Sequence, residues 1–223
     1  MRSVNSETEF IIGIDFGSSE TSAVFCDLKS DYKNDLDIFP GLKVIQSAVA
    51  ILAQDGKETI CIGEAAIQNA SYSKDFQIGF RKRPSEMNLS ERNRMVAFMH
   101  GVYIEILHCH PDFATRPHVV YMAGHTSDLV FEKEEKEYLK MAEYAGLPIA
   151  GIVKRYNAAI FRAISQPDSH VNKFCKNGFL LVDYGANTID FVYINSSLSK
   201  PIYGGCPLGA STIERILLRY AME

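Results

Sequence analysis

The sequence lacks clustered cysteines, an excess of basic side chains and any long apolar run. Its five cysteines are scattered singly among 223 residues, which excludes a zinc-ligand spacing and fits free thiols in a reducing compartment. The net charge of −4 gives no field that attracts nucleic acid or an acidic membrane. The opening MRSVNSETEF has no apolar signal-peptide core, and no run is long enough to span a membrane. We therefore expect a soluble cytoplasmic protein.

What the chain does contain is an ordinary globular composition, with 47% apolar and 22% charged residues. Its length suits one large domain or two modest ones. Short apolar runs typical of strands alternate with helical patterns, which predicts a mixed α/β architecture. Strands are predicted over 10–16 and 21–27, and a hairpin over 47–63 around Asp55-Gly56.

Three helices are predicted from the spacing of apolar and charged residues. Ser90 is expected to open the first, whose apolar side chains recur every three and four residues at Met95, Phe98, Met99, Val102, Tyr103, Ile106 and Leu107. The second, over 131–146, is expected to expose an acidic face at Glu132, Glu134, Glu135 and Glu137. The third, over 211–222, begins with a capping-box pattern at Ser211–Glu214 and carries an apolar stripe at Ile213, Ile216, Leu217 and Tyr220. That stripe predicts a homodimer through the C-terminal helix.

Two stretches share one pattern, GIDFGSSETSAVF at 13–25 and LVDYGANTIDFVY at 181–193. Each has a strand, an Asp, an aromatic residue, a Gly and two small or polar residues before a second strand. Successive N–H groups in such a turn can hold phosphate oxygens, and hydroxyls add further donors. A nearby carboxylate makes sense if a divalent cation lies between it and the phosphate.

The alternative is that each stretch is an ordinary hairpin whose Asp and Gly satisfy the turn. Two matching stretches in one chain favour a clamp for a polyphosphate–metal complex instead. Neither stretch has the GxxxxGK[ST] or GxGxxG spacing, so a P-loop and a Rossmann site are unsupported.

These stretches resemble the phosphate motifs of DnaK-type (seventy-kilodalton) heat-shock chaperones, whose ATPase domain belongs to the actin-like superfamily. Further similarity lies in CIGEAAIQNASYSKDFQIGFRKRPSE, in VVYMAGH followed by AEYAGLPIAGIVKRYNAAIFRAI, and in PLGASTIERIL. The resemblance implies an α/β fold of the actin-like ATPase (ribonuclease H-like) type, with the first lobe and part of the second. Residues 1–165 would form the first lobe, including an inserted subdomain at about 37–115, and 166–223 the partial second lobe.

The resemblance also implies roles for individual residues. Asp15 and Asp183 would hold Mg²⁺ through its water shell, Lys82 would steady the γ-phosphate and attacking water, and Asp190 would lie near that water. ATP or ADP would contact the two phosphate loops, formed by Gly17, Ser18 and Ser19 and by Gly185, Ala186, Asn187 and Thr188.

Departures from the family bear on activity. Ala186 and Asn187 stand where the family has glycines, and Arg155 stands where it has a catalytic glutamate. The chain also ends before the family's adenosine-binding and peptide-binding segments. The expected function is therefore a chaperone ATPase-domain fragment of the stress response, with slow or absent hydrolysis, acting with a co-chaperone or unfolded client in a full-length chain. A degenerate nucleotide sensor or scaffold, or an actin-like filament or partition protein, is the alternative.

Overall fold

The computed structural model describes residues 4–30, 32–124, 128–165, 178–195, 197–198 and 200–222. The chain divides into two compact units: unit one is Met1–Ala123 with Glu134–Ile152, and unit two is Gly124–Lys133 with Val153–Glu223. The division places 153–165 in unit two, whereas the sequence analysis assigned them to a first lobe. The lobe boundary at 165 and the inserted subdomain at about 37–115 stay predictions.

Unit one is built on a sheet of six strands with the order β3-β2-β1-β8-β9, and β4 pairs with β2. The pair β1–β2 is antiparallel and β1–β8 is parallel. Further along the chain, β5, β6 and β7 form a second sheet of three strands. The strands are β1 (Phe10–Phe16), β2 (Glu20–Asp27), β3 (Lys33–Leu36), β4 (Val44–Gln46), β5 (Ala48–Gln54), β6 (Lys57–Ile62), β7 (Asp75–Ile78), β8 (His118–Gly124) and β9 (Ile149–Lys154).

The helices of the first 154 residues are α1 (Glu64–Gln68), α2 (Leu89–Cys109), α3 (Pro111–Thr115) and α4 (Asp128–Tyr144), with short 3₁₀ turns at Ala70–Tyr72 and Pro84–Glu86. Helix α2 contributes to the core of unit one: its predicted apolar stripe from Met95 to Ile106 is buried in one cluster with residues of β1 and β8, and Leu107 is partly buried. Ser90 does not open this helix. Asn88 caps it, because its side chain accepts from the Glu91 N–H while the Glu91 carboxylate accepts from the Asn88 N–H.

The prediction that the acidic face of the charged helix is exposed to solvent is wrong at Glu134. This side chain is only 2% exposed. Its carboxylate accepts hydrogen bonds from the backbone N–H and the hydroxyl of Ser85, which lies 49 residues earlier in the chain. A sequence pattern of alternating Glu and Lys cannot reveal this contact, since the partner is distant in sequence.

Unit two contains helix α5 (Arg155–Ser165), a sheet of three antiparallel strands and helix α6 (Ala210–Met222); the strands are β10 (Phe179–Tyr184), β11 (Ile189–Ile194) and β12 (Ile202–Cys206). One face of the sheet is covered: Val192 is fully buried, and the Tyr203 hydroxyl lies 2.7 Å from that of Tyr156 on α5. The other face exposes Leu180, Val182, Tyr184, Phe191 and Ile202. The predicted segment 165–178 lies largely outside the described residues.

None of the described helices is both long enough and apolar enough to cross a membrane. The described cysteines, at positions 26, 61, 109 and 206, are free thiols, as the scattered spacing predicted.

Candidate functional site

The first candidate loop is the turn Gly17–Ser19, which joins β1 to β2 in unit one. Asp15 is the penultimate residue of β1 and lies opposite Ser22. A Cβ added to Gly17 would lie 2.3 Å from the carbonyl oxygen of Glu20. Such a contact is far inside normal van der Waals separation, so this turn needs glycine at position 17. The shape of the loop is therefore dictated by its own close backbone approach.

Ser47 anchors this loop, and the sequence analysis missed it. Its hydroxyl donates to the Gly17 carbonyl oxygen at 2.7 Å, and its backbone N–H donates to the Ser19 carbonyl oxygen at 2.7 Å. Because that hydroxyl proton is used, the Thr21 hydroxyl, 2.9 Å away, donates to Ser47 in turn. Ser47 and Thr21 are both buried. The only sequence signal for this role was a serine at the start of the apolar run SAVA.

The segment that carries Lys82 is attached to the same loop. The Phe80 N–H donates to the Ser18 carbonyl oxygen at 2.9 Å, two residues before Lys82. The Lys82 Nζ lies 2.7 Å from Glu91 Oε1, and this contact is the main reason why the pKa of Glu91 falls below its ordinary value. The structure thus brings the backbone near Lys82 to Ser18, while its amine pairs with a carboxylate of α2.

The second candidate loop, Gly185–Thr188, joins β10 to β11 in unit two. Its ends are joined by the Gly185 N–H, which donates to the Thr188 carbonyl oxygen at 2.9 Å. The predicted phosphate-loop residues therefore occupy a tight turn here as well. An added Cβ at Gly185 would meet that Thr188 oxygen at 3.3 Å, a looser approach than the one at Gly17.

Helix α6 begins against this second loop. The Ala210 N–H donates to Gly185 O at 3.1 Å, and the Ser211 N–H donates to Ala186 O at 2.8 Å. A Cβ on Gly209 would lie 2.4 Å from Ala186 and Asn187 backbone atoms, so only glycine permits this approach. The predicted capping box at Ser211 is wrong, because Ser211 lies inside the helix and its hydroxyl donates to Asn187 Oδ1 at 3.0 Å.

Two carboxylates lie side by side on the sheet of unit two. Asp183 and Asp190 are direct partners across β10 and β11, so they lie on the same face. The Thr188 hydroxyl donates to Asp190 Oδ2 at 2.8 Å. Opposed like charges destabilise a strand pair, and a divalent cation between or beside them would offset that cost. This arrangement is compatible with the predicted metal role of Asp183.

A magnesium ion needs few protein ligands at such a place. Mg²⁺ commonly keeps several waters and binds through one or two carboxylates plus substrate phosphates. Within the described residues no group of three or more His, Cys, Asp or Glu side chains is close enough to hold a metal by itself. The Asp183 carboxylate therefore suits a hydrated ion that arrives with phosphate, not a preformed metal site. Its metal role and the catalytic role of Asp190 stay predictions. The metal role of Asp15 stays a prediction.

The predicted residues thus form two sets. Asp15, Gly17, Ser18, Ser19 and Lys82 belong to unit one, and Asp183, Asp190, Arg155 and the loop Gly185–Thr188 belong to unit two. Arg155 is the first residue of α5. The structure places Asp15 on the strand before the first loop and hydrogen-bonds that loop to the Lys82 segment. It places the second loop between the strands that carry Asp183 and Asp190.

Comparison with solved structures identifies the fold. A non-polymerising MamK mutant bound to AMPPNP matches with a TM-score of 0.52 and 16% identity over 97% of this chain and 61% of its own. The ethanolamine utilization protein EutJ from Carboxydothermus hydrogenoformans matches with 0.52 and 11% identity over 96% and 57%. The archaeal actin homologue Ta0583 matches with 0.54 and 12% identity over 96% and 67%.

The chain therefore has an actin-like ATPase fold, as the sequence predicted, and it is a partial version of that fold. It spans 61% of the length of MamK and 57% of that of EutJ. No protein-family model and no curated protein sequence matches it. The comparisons thus show the fold alone, and membership of the DnaK-type chaperones is not shown.

Proposed function

We propose that this chain is a nucleotide-binding actin-like protein in which each of the two glycine-containing loops binds phosphate oxygens of a nucleoside triphosphate. The observation that carries the proposal is the pair of matching strand–turn–strand loops, at Gly17–Ser19 and Gly185–Thr188, within an actin-like fold. Structural neighbours described as complexes with AMPPNP and with ADP support the same ligand class.

Each loop supplies donors of a different kind. In the first, the Ser18 and Ser19 hydroxyls and the turn N–H groups would bind phosphate oxygens. The Lys82 amine, now 2.7 Å from Glu91, would exchange that carboxylate for the terminal phosphate. In the second, the Asn187 amide would contribute, and the Thr188 hydroxyl would exchange its Asp190 acceptor for a phosphate oxygen. Asp15 and Asp183 would each associate with hydrated Mg²⁺, which would neutralise the phosphate charge.

Hydrolysis is proposed to be slow or absent. Asp190, the residue expected near the attacking water, accepts a hydrogen bond from Thr188. Arg155 presents a fixed cation where the resembling chaperones have an acidic acceptor. A cation that binds the phosphates equally in the ground state and the transition state strengthens binding without accelerating the reaction. We therefore propose binding and switching, with catalysis secondary.

An actin-like scaffold or filament protein is better supported than a chaperone. The neighbours with TM-scores above 0.5 named here are an actin homologue, MamK and EutJ. Unit two also exposes apolar side chains on one face of its sheet and along α6, for which self-association is one use. Sedimentation with and without nucleotide tests this choice: nucleotide-dependent pelleting supports a filament, and capture of unfolded polypeptide without pelleting would favour the chaperone.

Isothermal titration with ATP, ADP, GTP and tripolyphosphate, each with and without Mg²⁺, tests the binding proposal. We expect Mg²⁺-dependent binding in which triphosphates exceed diphosphates. Lys82→Ala should lower triphosphate affinity by about tenfold, the scale of one charge-assisted contact. Lys74→Ala is the matched control, since Lys74 is another exposed lysine in a 2.7 Å contact with a glutamate, Glu58, and lies outside the loops. Equal effects of both variants would contradict the assignment.

Asp15→Asn and Asp183→Asn test the metal role separately. Each should weaken binding in Mg²⁺ while changing binding without Mg²⁺ much less, because a hydrated cation is the proposed partner. Asp35→Asn serves as the control, since Asp35 is an exposed strand aspartate that pairs with Lys43 at the limit of a salt bridge. Affinities that remain Mg²⁺-dependent in both site variants would remove the two aspartates from the site.

A further inference from the structure

Glu134 is a buried carboxylate that, within the described part of the chain, accepts its hydrogen bonds from a single residue, Ser85. At 2% exposure it is among the few buried polar side chains of the described chain. Its Oε2 accepts the Ser85 N–H at 2.9 Å and its Oε1 accepts the Ser85 hydroxyl. Burying a carboxylate is costly unless its charge is hydrogen-bonded, so this contact must be maintained for α4 to pack. The buried Glu134 carboxylate thus holds Ser85 in place.

Ser85 lies three residues after Lys82, within the 3₁₀ turn Pro84–Glu86. On the other side of Lys82, the Phe80 N–H is bound to Ser18 of the first loop at 2.9 Å. The backbone that carries Lys82 is therefore fixed at two points, one on the loop and one on α4. Pro84 and Met87, which flank Ser85, are buried and add apolar contacts at the second point.

The lysine itself is held less firmly. Its side chain is 54% exposed, and its ion pair with Glu91 is the kind of contact that contributes little by itself. A long, flexible side chain reaches a phosphate reproducibly only if its Cα is fixed, since the rotamers already cost entropy on ordering. Placement of the amine consequently depends on the backbone contacts at Phe80 and Ser85.

We infer that Glu134 is a positioning residue that fixes the Lys82 segment over the first phosphate loop. The inference rests on the proposed function, and it assigns to α4 a part in binding the terminal phosphate. Glu134 touches no ligand in this scheme. Its effect passes through Ser85 and the short backbone to Lys82, so it should act on triphosphate binding and not on diphosphate binding.

The experiment is a double-mutant cycle read out as the ratio of ATP to ADP affinity. Glu134→Ala should lower this ratio by about fivefold, because small displacements of a binding group are costly. In the Lys82→Ala background the same change should have almost no further effect, since the two residues act as one unit. Ser85→Ala, which keeps the backbone N–H, should lower the ratio by about twofold.

Glu134→Gln and Glu137→Ala complete the design. Glutamine can accept from the Ser85 N–H and donate to its hydroxyl, so it should keep the wild-type ratio. Glu137 lies one turn further along α4 and accepts from Arg92 at 2.6 Å, so its removal loosens α4 without touching Ser85. It should leave the ratio unchanged. Circular dichroism establishes that each variant is folded. If Glu134→Ala unfolds, the ratio of ATP to ADP affinity is measured in Ser85→Ala and Glu134→Gln instead.

The outcomes separate this inference from the proposed function. If the unmodified protein prefers ATP and Lys82→Ala abolishes that preference, while Glu134→Ala retains it, the inference is overturned and the proposed function stands. Additive effects of the two changes, or an equal loss in Glu137→Ala, also overturn it. Absence of any triphosphate preference in the unmodified protein overturns both.

Discussion

The two candidate loops have matching sequence patterns, but the strands that lead into them are buried to very different extents. The strand that leads into the first, β1, has Phe10, Ile12 and Ile14 at 1% exposure or less. The strand that leads into the second, β10, exposes Leu180 and Val182 by 58% and 56%. An identical local pattern thus forms the same strand–turn–strand unit in a closed core and on a sheet with one uncovered face. Local sequence determines the turn, whereas the surroundings determine how strongly it is held.

The hydrogen bonds around the loops differ in the same way. The first loop is bound by Ser47 and Phe80, which are distant in sequence and lie in the same packed unit. The second is bound by the first residues of α6, a helix with no buried side chain in the described structure. Contacts made by an exposed helix are expected to open more readily than contacts made inside a core.

The largest expected effect is the loss of stability on removing one phenylalanine, which we compare between the two units. Phe98→Ala, in the fully buried stripe of α2, should destabilise unit one by about 3–5 kcal/mol through lost burial and a cavity. Phe191→Ala, 40% exposed on the sheet of unit two, should cost about 1 kcal/mol or less. Hydrogen exchange measured by mass spectrometry reads the peptides of each unit separately. Equal losses would contradict the difference in packing.

The next effect compares the loop glycines. Gly17→Ala should cost about 2–3 kcal/mol, because its methyl group would overlap the Glu20 carbonyl oxygen at 2.3 Å and the backbone must move. Gly185→Ala should cost less than about 1 kcal/mol, since the nearest atom is at 3.3 Å. Exchange rates in the two hairpins measure both. A larger effect at Gly185 would show that the second turn is the more constrained one.

A smaller effect compares the serine anchors. Ser47→Ala should cost about 1–2 kcal/mol, because the Thr21 hydroxyl and the Gly17 carbonyl oxygen would each lose a buried partner. Ser211→Ala removes a half-buried contact with Asn187 and should cost about 0.5 kcal/mol. Urea unfolding followed by circular dichroism gives both values. Ser47→Thr, which keeps the hydroxyl, tests whether the hydrogen bond or the packing is responsible for the loss.

The smallest effect is a pH dependence in unit one. Arg116 and, secondly, Lys29 hold the pKa of Glu9 below its ordinary value of 4.5. A carboxyl whose pKa is lower in the folded state stabilises the fold above its unfolded pKa. That stabilisation is lost as the pH falls from about 4.5 through the folded pKa. Glu9→Gln should therefore flatten the acid side of the stability profile slightly, as should Arg116→Ala. An unchanged slope in both variants would remove the ion pairs from the acid response.

Much of the fold follows from sequence pattern, and the omissions are instructive. Alternation and turn residues predicted β1, β2 and the Asp55-Gly56 hairpin, and the spacing of apolar residues predicted the buried face of α2. Strand β7, over Asp75–Ile78, was missed because a strand of four residues has too few positions to show a period. The starts of α2 and α6 were misplaced by one residue, since Asn88 and the carbonyls of the second loop compete with the local signals at Ser90 and Ser211.

The sequence by itself determined the paired loops and the apolar faces, because each depends on residues that are close in the chain. The actin-like fold was implied by the resemblance of several motifs to a known family, and not by periodicity. Only the tertiary structure revealed that Ser47 holds the first loop and that Glu134 is buried against Ser85. Both contacts join residues that are 30 or more positions apart. A buried hydrogen bond of that kind leaves no local pattern in the sequence, since serine and glutamate are also common on solvent-exposed surfaces. The partner that satisfies it is brought near only when the chain has folded.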